Sequence, residues 1–252
     1  MSQLPPVVVR LLKGSFLFFP VLAVLFWIGT PLGLLGAIYL ALTLELLPAL
    51  ALAQLPLIEE DTPLPKIPVY VSSAGVILLV GWLGLMIGWE EFGLKEMGLL
   101  SFHVPTVLAW TGGLMLAAFV LLGGFLLARR YLGLQETPFL AQLLPKTGRE
   151  KFVFVFLSLS AGLGEELAYR GFLIPALAIV FGTAWGAVLL SSLVFGILHS
   201  YQGWLGMART ALLGMVLAVS FVVTGSLWPA ILAHALLDVL VGVVFGEILM
   251  KE

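Results

Sequence analysis

Of the ionisable side chains that stand in otherwise apolar stretches, seven lie in the C-terminal half, Glu165, Glu166, Arg170, His199, Arg209, His234 and Asp238, and only Glu45 in the first. Two of the chain's three histidines are among the seven. Hydrolysis of an amide asks for such a set, because it needs a base to activate water, an electrophile for the oxyanion and an acid for the departing amine. Glu165, poorly solvated and beside a second carboxylate, suits the base. Glu166 and Arg170 are four apart and share a helical face, as do Phe195 and His199, and His234 and Asp238. Each pair also has a plainer reading. Glu166 with Arg170 can be an ion pair that stabilises a helix, His199 an interfacial side chain at a helix end, and His234 with Asp238 a mutually satisfied buried pair. Arg209 lies about a turn inside its span, where it can snorkel to the headgroups, so its role is read as positional.

The elements that position these residues must be membrane helices. Of 252 residues, 61% are apolar and 10% charged, against about 25% charged in a soluble domain. So few polar side chains cannot coat a soluble globule, and a disordered chain is equally excluded. The chain has no cysteine, which removes a disulfide scaffold, thiolate catalysis and Cys-ligated metal sites. With 12 Lys and Arg against 14 Asp and Glu, net −2, there is no cationic surface for nucleic acid, and none is expected as a partner. The expected fold is all-α: a polytopic integral membrane helix bundle in the lipid bilayer, with about eight transmembrane helices.

A span needs roughly 20 mostly apolar residues. Eight segments qualify: 15–29, 33–55, 68–89, 105–128, 152–181, 184–199, 205–223 and 228–245. They form one membrane domain over 1–252, with four spans in 1–150 and, in 151–252, a four-helix core that carries the candidate catalytic residues. Residues 1–14 contain Arg10 and Lys13, and no small-residue cleavage site follows the apolar run, so this stretch reads as the flank of an uncleaved anchor. With the N-terminus inside, Arg10, Lys13, Lys66, Arg129, Arg130, Lys146, Arg149, Lys151 and Lys251 all fall on the inner side and only Lys95 outside. By the positive-inside rule both termini are then cytoplasmic, in a cell inner or plasma membrane. Trp27, Trp89, Trp110, Trp204 and Trp228 lie near span ends, as an interfacial belt requires. Glu59, Glu60 and Asp61 read as a hydrated connector.

Hairpin geometry lets the polar residues meet. Glu165 and His199 each lie roughly 25 Å from the turn at 181–183, counted at 1.5 Å per residue, so antiparallel neighbours place them at one depth. His234 and Asp238 lie about 14 Å and about 20 Å from the turn at 224–226. The constellation occupies the cytoplasmic half of the membrane, provided that the faces turn toward one another.

At these residues the chain resembles the CAAX-protease and bacteriocin-processing (Abi) family of intramembrane endopeptidases. The family's Glu-Glu-x-x-x-Arg motif has its likeness in Glu165-Glu166-Leu167-Ala168-Tyr169-Arg170, its Phe-x-x-x-His in Phe195 to His199, and its final His-x-x-x-Asn/Asp in His234 to Asp238. The Thr224-Gly225-Ser226-Leu227-Trp228 turn is similar too, and the likeness covers 151–252. The resemblance implies an intramembrane endopeptidase that cuts a membrane-associated peptide or a prenylated or otherwise lipidated protein, in a cavity open to the cytoplasm. It implies that Glu165 activates water, that His199 and His234 either bind a metal, zinc being the candidate, or stabilise the oxyanion, that Asp238 orients His234, and that Glu166 with Arg170 supports the site. Asp238 stands where the prenyl-protein endopeptidases usually have Asn, and the added charge would strengthen His234 as a base or favour a metal. No organic cofactor is implied, and the His-Glu-x-x-His signature of zinc helices is absent.

Two other classes fit the same residues. A transporter or channel could use the polar cluster for an ion or proton, although transporters repeat such features in both halves. A non-catalytic immunity or scaffold member could keep the fold alone. Other intramembrane protease chemistries are excluded, since there is no Gly-x-Ser-x-Gly elbow and Asp238 is the only membrane aspartate. Glu45, near Pro48, is expected to serve a kink or meet a polar partner. His103, Glu90 and Glu91 are expected in a solvated outer loop, and Phe152, Phe154 and Phe156 as packing or lipid-facing residues.

Overall fold

The computed structural model describes residues 29–58 and 63–246, together with Val9 and Val24. The expected first span, 15–29, and the connector Glu59, Glu60 and Asp61 therefore lie outside the described residues, apart from Val24 and Gly29. Among the described residues the regular structure is helical and contains no strand. The helices are α1 Leu34–Gln54, α2 Lys66–Glu96, α3 Val104–Leu132, the short α4 Pro138–Leu143, α5 Gly148–Phe181, α6 Ala184–Leu198, α7 Gly203–Thr224 and α8 Trp228–Phe245. Six of them, all but α4 and α6, are long and apolar enough to cross a bilayer, with α7 counted from Ser200. The 15 residues of α6 rise only about 22 Å, short of the roughly 30 Å hydrocarbon layer. Leu116 and Val120 on α3 and Phe152 on α5 are among the most exposed side chains, which suits lipid and not water.

Local chemistry sets the helix ends. Thr147 and Glu150 form a capping box at the start of α5, in which the hydroxyl and the carboxylate satisfy free amides reciprocally. Gly182, at φ 67°, ends α5 in the left-handed region that glycine reaches without strain. Thr183 then accepts from the Trp185 amide at 3.3 Å to open α6. The turn expected at 181–183 is thus a tight hairpin. Three helices contain π-helical stretches, at Leu42–Leu46 in α1, Leu167–Leu173 in α5 and Leu240–Phe245 in α8. Such stretches are rare and concentrate at functional positions.

The bundle is built around α5, which packs against α2 on one side and α8 on the other. Two glycines make this possible. A Cβ on Gly162 would lie 2.7 Å from the Cβ of Ala235 on α8, and one on Gly164 would lie 2.5 Å from the Ile77 carbonyl oxygen on α2. Residues two apart on a helix point to nearly opposite sides, so Gly162-Leu163-Gly164 lets both neighbours approach to backbone contact. The start of α8 is held by the turn after α2: Ser226 Oγ donates to the Ser101 carbonyl at 2.6 Å, Trp228 Nε1 to the Leu99 carbonyl at 3.0 Å and the Leu227 amide to the Gly98 carbonyl at 3.0 Å. At the opposite end Tyr70 donates to the Leu143 carbonyl and Lys66 to the Leu144 carbonyl, both at 2.6 Å.

The helix expected at 68–89 runs past Glu90 and Glu91 to a kink at Gly93, φ 80°, and resumes to Glu96, so Glu90 and Glu91 are helical and not in a loop. Glu91 also accepts from the Gly33 amide at 3.1 Å, which ties α2 to the start of α1. Arg209 does not reach for headgroups. It donates to Glu136, in the connector after α3, and to Gln202 at 3.1 Å. Phe152 and Phe156 are exposed, whereas Phe154 stands edge-on to Tyr70 at 5.3 Å. His103 is exposed beside the Thr106 hydroxyl at 2.9 Å. Glu45 lies in the π stretch preceding Pro48, and neither of its buried carboxylate oxygens has a hydrogen-bond partner.

Candidate active site

The π stretch of α5 begins one residue after Glu166, so the segment carrying Glu165, Glu166, Tyr169 and Arg170 lies at the passage from one helical winding to the other. Side chains four apart keep a common face there, and Glu166 and Arg170, both wholly buried, pair at 2.7 Å. The second guanidinium arm, Nη2, donates to the Gly214 carbonyl of α7 at 3.0 Å. Gly214 has room only for hydrogen, since a Cβ there would lie 2.9 Å from Arg170 Nη2. The guanidinium carbon sits 4.4 Å over the Phe195 ring of α6, a favourable stacking of cation on aromatic face.

Phe195 is the hub of the site. Its ring centroid is 4.9 Å from that of His199, 6.0 Å from that of His234 and 5.5 Å from that of Tyr169. A phenylalanine that reads in sequence as a motif spacer therefore spaces the two imidazoles apart and seats the guanidinium.

Each imidazole is fixed at one nitrogen. His199 Nδ1 lies 2.8 Å from the Phe195 carbonyl, which only accepts, so that nitrogen carries the proton. His234 Nδ1 lies 2.8 Å from Glu166 Oε1. That carboxylate is already paired with Arg170 and likewise accepts, so His234 too is protonated at Nδ1. In their neutral forms both rings present a lone pair at Nε2. His234 Nε2 faces Glu165 Oε2 at 3.7 Å and Asp238 Oδ2 at 3.6 Å, too long for direct hydrogen bonds and short enough for one water to bridge.

These distances place Glu165, Glu166, Arg170, His234 and Asp238 in one cluster drawn from α5 and α8, with His199 joined to it through Phe195. The carboxylate hydrogen-bonded to His234 is that of Glu166, while Asp238, whose side chain is 39% exposed, lies 3.6 Å from His234 Nε2. Glu165 is half-buried, and its Oε2 is a buried atom with no hydrogen-bond partner. Sequence reasoning missed Tyr169, the Gly214 carbonyl and the Glu136 partner of Arg209. Only Tyr169 left a signal, as the one phenol on the Glu165 face.

Two Nε2 lone pairs are chemistry that a metal accepts. Among the described residues, however, no group of three or more His, Asp and Glu side chains is arranged to hold a metal ion.

The helices and the site together define a polytopic helical membrane protein with an acid and imidazole cluster inside its bundle. Residues 148–240 match the family described as type II CAAX prenyl endopeptidase, Rce1-like. With six apolar helices long enough to span, the protein is an integral membrane protein. An uncharacterized 24.3 kDa protein of Escherichia coli is 31% identical over 141 residues, which are 54% of this chain. The match spans 63% of that relative's length. No solved structure matches the chain.

Proposed function

We propose that the protein is an intramembrane endopeptidase that hydrolyses a peptide bond in a lipid-modified, CAAX-type protein or a membrane-associated peptide, with Glu165 as the general base. The observation that supports this reading is the pairing of Glu165 Oε2, a buried oxygen without a partner, with His234 Nε2 at 3.7 Å. A water between them donates one hydrogen to the carboxylate and the other to the imidazole lone pair.

The chemistry follows. Glu165 takes a proton from the water, and the hydroxide oxygen forms a bond to the scissile carbonyl carbon. The carbonyl π pair moves to oxygen. Protonated Glu165 then delivers its proton to the amide nitrogen, the C–N bond breaks with its pair on nitrogen, and the carbonyl re-forms. The products are a carboxylic acid and an amine, and Glu165 ends as it began. His234 keeps its Nδ1 proton on Glu166 throughout and holds the water's second hydrogen. The Glu166 and Arg170 pair keeps that imidazole in one tautomer. In the orientation that the distribution of Lys and Arg favours, the termini are cytoplasmic and the cluster opens to the cytoplasm.

The test is cleavage of a farnesylated CAAX peptide by the protein reconstituted in phosphatidylcholine vesicles. Glu165→Gln keeps the shape and removes the base, so turnover should fall by at least about 10²-fold with the thermal unfolding temperature preserved. Wild-type turnover by Glu165→Gln would remove the assigned base. A protein that folds and cleaves nothing would fit a non-catalytic member of the family.

A further inference from the structure

The route above needs a hydrogen-bond donor for the carbonyl oxygen as it turns negative, and the motif side chains leave that position unfilled. His199 and His234 spend their Nδ1 protons on the Phe195 carbonyl and on Glu166. A second proton on His234 would face two carboxylates. Ionised Glu165, Glu166 and Asp238 donate nothing. Arg170 gives Nη1 to Glu166 and Nη2 to the Gly214 carbonyl; its Nε also lacks a partner but is the inner nitrogen of a side chain with no exposure.

Tyr169 is the strong donor that remains on this wall. The residue is 3% exposed and its ring stands edge-on to Phe195, the ring that also borders both imidazoles. Its hydroxyl is buried and has no hydrogen-bond partner, while the charges of Glu165 and Arg170 act on it. Glu165 and Tyr169 are four apart where α5 enters its π stretch, so base and phenol share a face. A buried hydroxyl without a partner lowers stability and calls for an explanation. Here the explanation is an oxygen that arrives with the substrate.

We propose that Tyr169 is the oxyanion donor of this site: its hydroxyl donates a hydrogen bond to the scissile carbonyl oxygen, strengthens that bond as negative charge develops, and keeps its own proton. The assignment rests on the peptidase reading, and Tyr169 is then a catalytic residue. Ser200 is the competing donor. It is buried, its Oγ also lacks a partner, and it follows His199 in the turn to α7.

Steady-state cleavage of the farnesylated CAAX peptide, and of the same peptide without the lipid, by the full-length protein in phosphatidylcholine vesicles separates these roles. Tyr169→Phe keeps the ring and should lower kcat about 10²-fold while KM stays within about twofold. Its unfolding temperature should equal or exceed that of the wild type, because the substitution deletes an unpaired buried group. Ser200→Ala should retain wild-type kcat. Inactive Glu165→Gln alongside fully active Tyr169→Phe would overturn the donor and leave the base standing. So would a loss of kcat that follows Ser200→Ala, or a lowered unfolding temperature for Tyr169→Phe, which would reveal a structural partner. Full activity of Glu165→Gln, or a wild type that cleaves neither peptide, would overturn the peptidase reading and the donor with it.

Discussion

At the scale of single residues, the site depends on one carboxylate serving two partners. Glu166 Oε1 accepts from Arg170 at 2.7 Å and from His234 at 2.8 Å, inside a pocket where both Glu166 and Arg170 have no exposure. Removing one member of a buried pair leaves a charge without compensation, at about 3–5 kcal/mol. Arg170→Met should therefore lower stability by about that much, read as a fall in the unfolding temperature in detergent, and activity should be lost with it. The double variant Glu166→Leu with Arg170→Met removes both charges and should recover part of the stability but none of the turnover, because His234 loses its anchor. Asp238→Asn is the contrasting case. Asp238 makes no hydrogen bond to His234 and its side chain is partly exposed, so its replacement should change stability by less than about 1 kcal/mol. A larger loss on unfolding measurements would return to Asp238 the orienting role that the motif alone suggested.

At the scale of the helix, the site is as well placed as the crossings on either side of α5. Gly162 meets Ala235 one residue beyond His234, and Gly164 meets α2 one residue before Glu165, so both crossings adjoin the chemistry. A methyl at Gly162 must push α8 away, and with it the imidazole. Overpacking of this kind costs about 1–3 kcal/mol, and a displacement of about 1 Å at a reacting group can cost about 10²-fold in rate. Gly162→Ala should show both effects. Gly112→Ala in α3, where a Cβ meets nothing within 4 Å, should leave turnover unchanged and gain about 0.5–1 kcal/mol, which makes it the matched control for assays of stability and activity.

At the scale of the whole molecule, the question is which end of the bundle faces which compartment. Lys66, Leu143, Leu144 and Glu150 meet at one end of the bundle, and Gly98 to Ser101 meet the start of α8 at the other. The natural absence of cysteine makes single-cysteine mapping direct. Lys146→Cys and Ser101→Cys, both at exposed positions, should react oppositely with a membrane-impermeant maleimide in intact cells. Ser101→Cys should label at once, and Lys146→Cys only after permeabilisation. The reverse pattern would invert the proposed orientation and turn the cluster away from the cytoplasm.

Much of this was legible in sequence, and the reason is energetic. Hydrocarbon accepts only apolar runs about 20 residues long, so seven of the eight expected spans stand as helices among the described residues, although α6 is too short to cross by length alone. The same cost makes an ionisable residue in such a run conspicuous, which is why Glu165, Glu166, Arg170, His199, His234 and Asp238 could be picked out by number, and why the four-residue spacing of Glu166 and Arg170 foretold their ion pair. Composition and spacing thus determined the membrane bundle, the cluster's members and the pairing within one helix. Contacts between helices were decided by tertiary structure, because they depend on how each helix is rotated about its axis, which periodicity in a uniformly apolar chain does not encode. It is the approach of α8 across Gly162 that gives His234 to Glu166 rather than to Asp238, the position of α7 that supplies the Gly214 carbonyl, and the packing around the π stretch of α5 that leaves the Tyr169 hydroxyl buried without a partner.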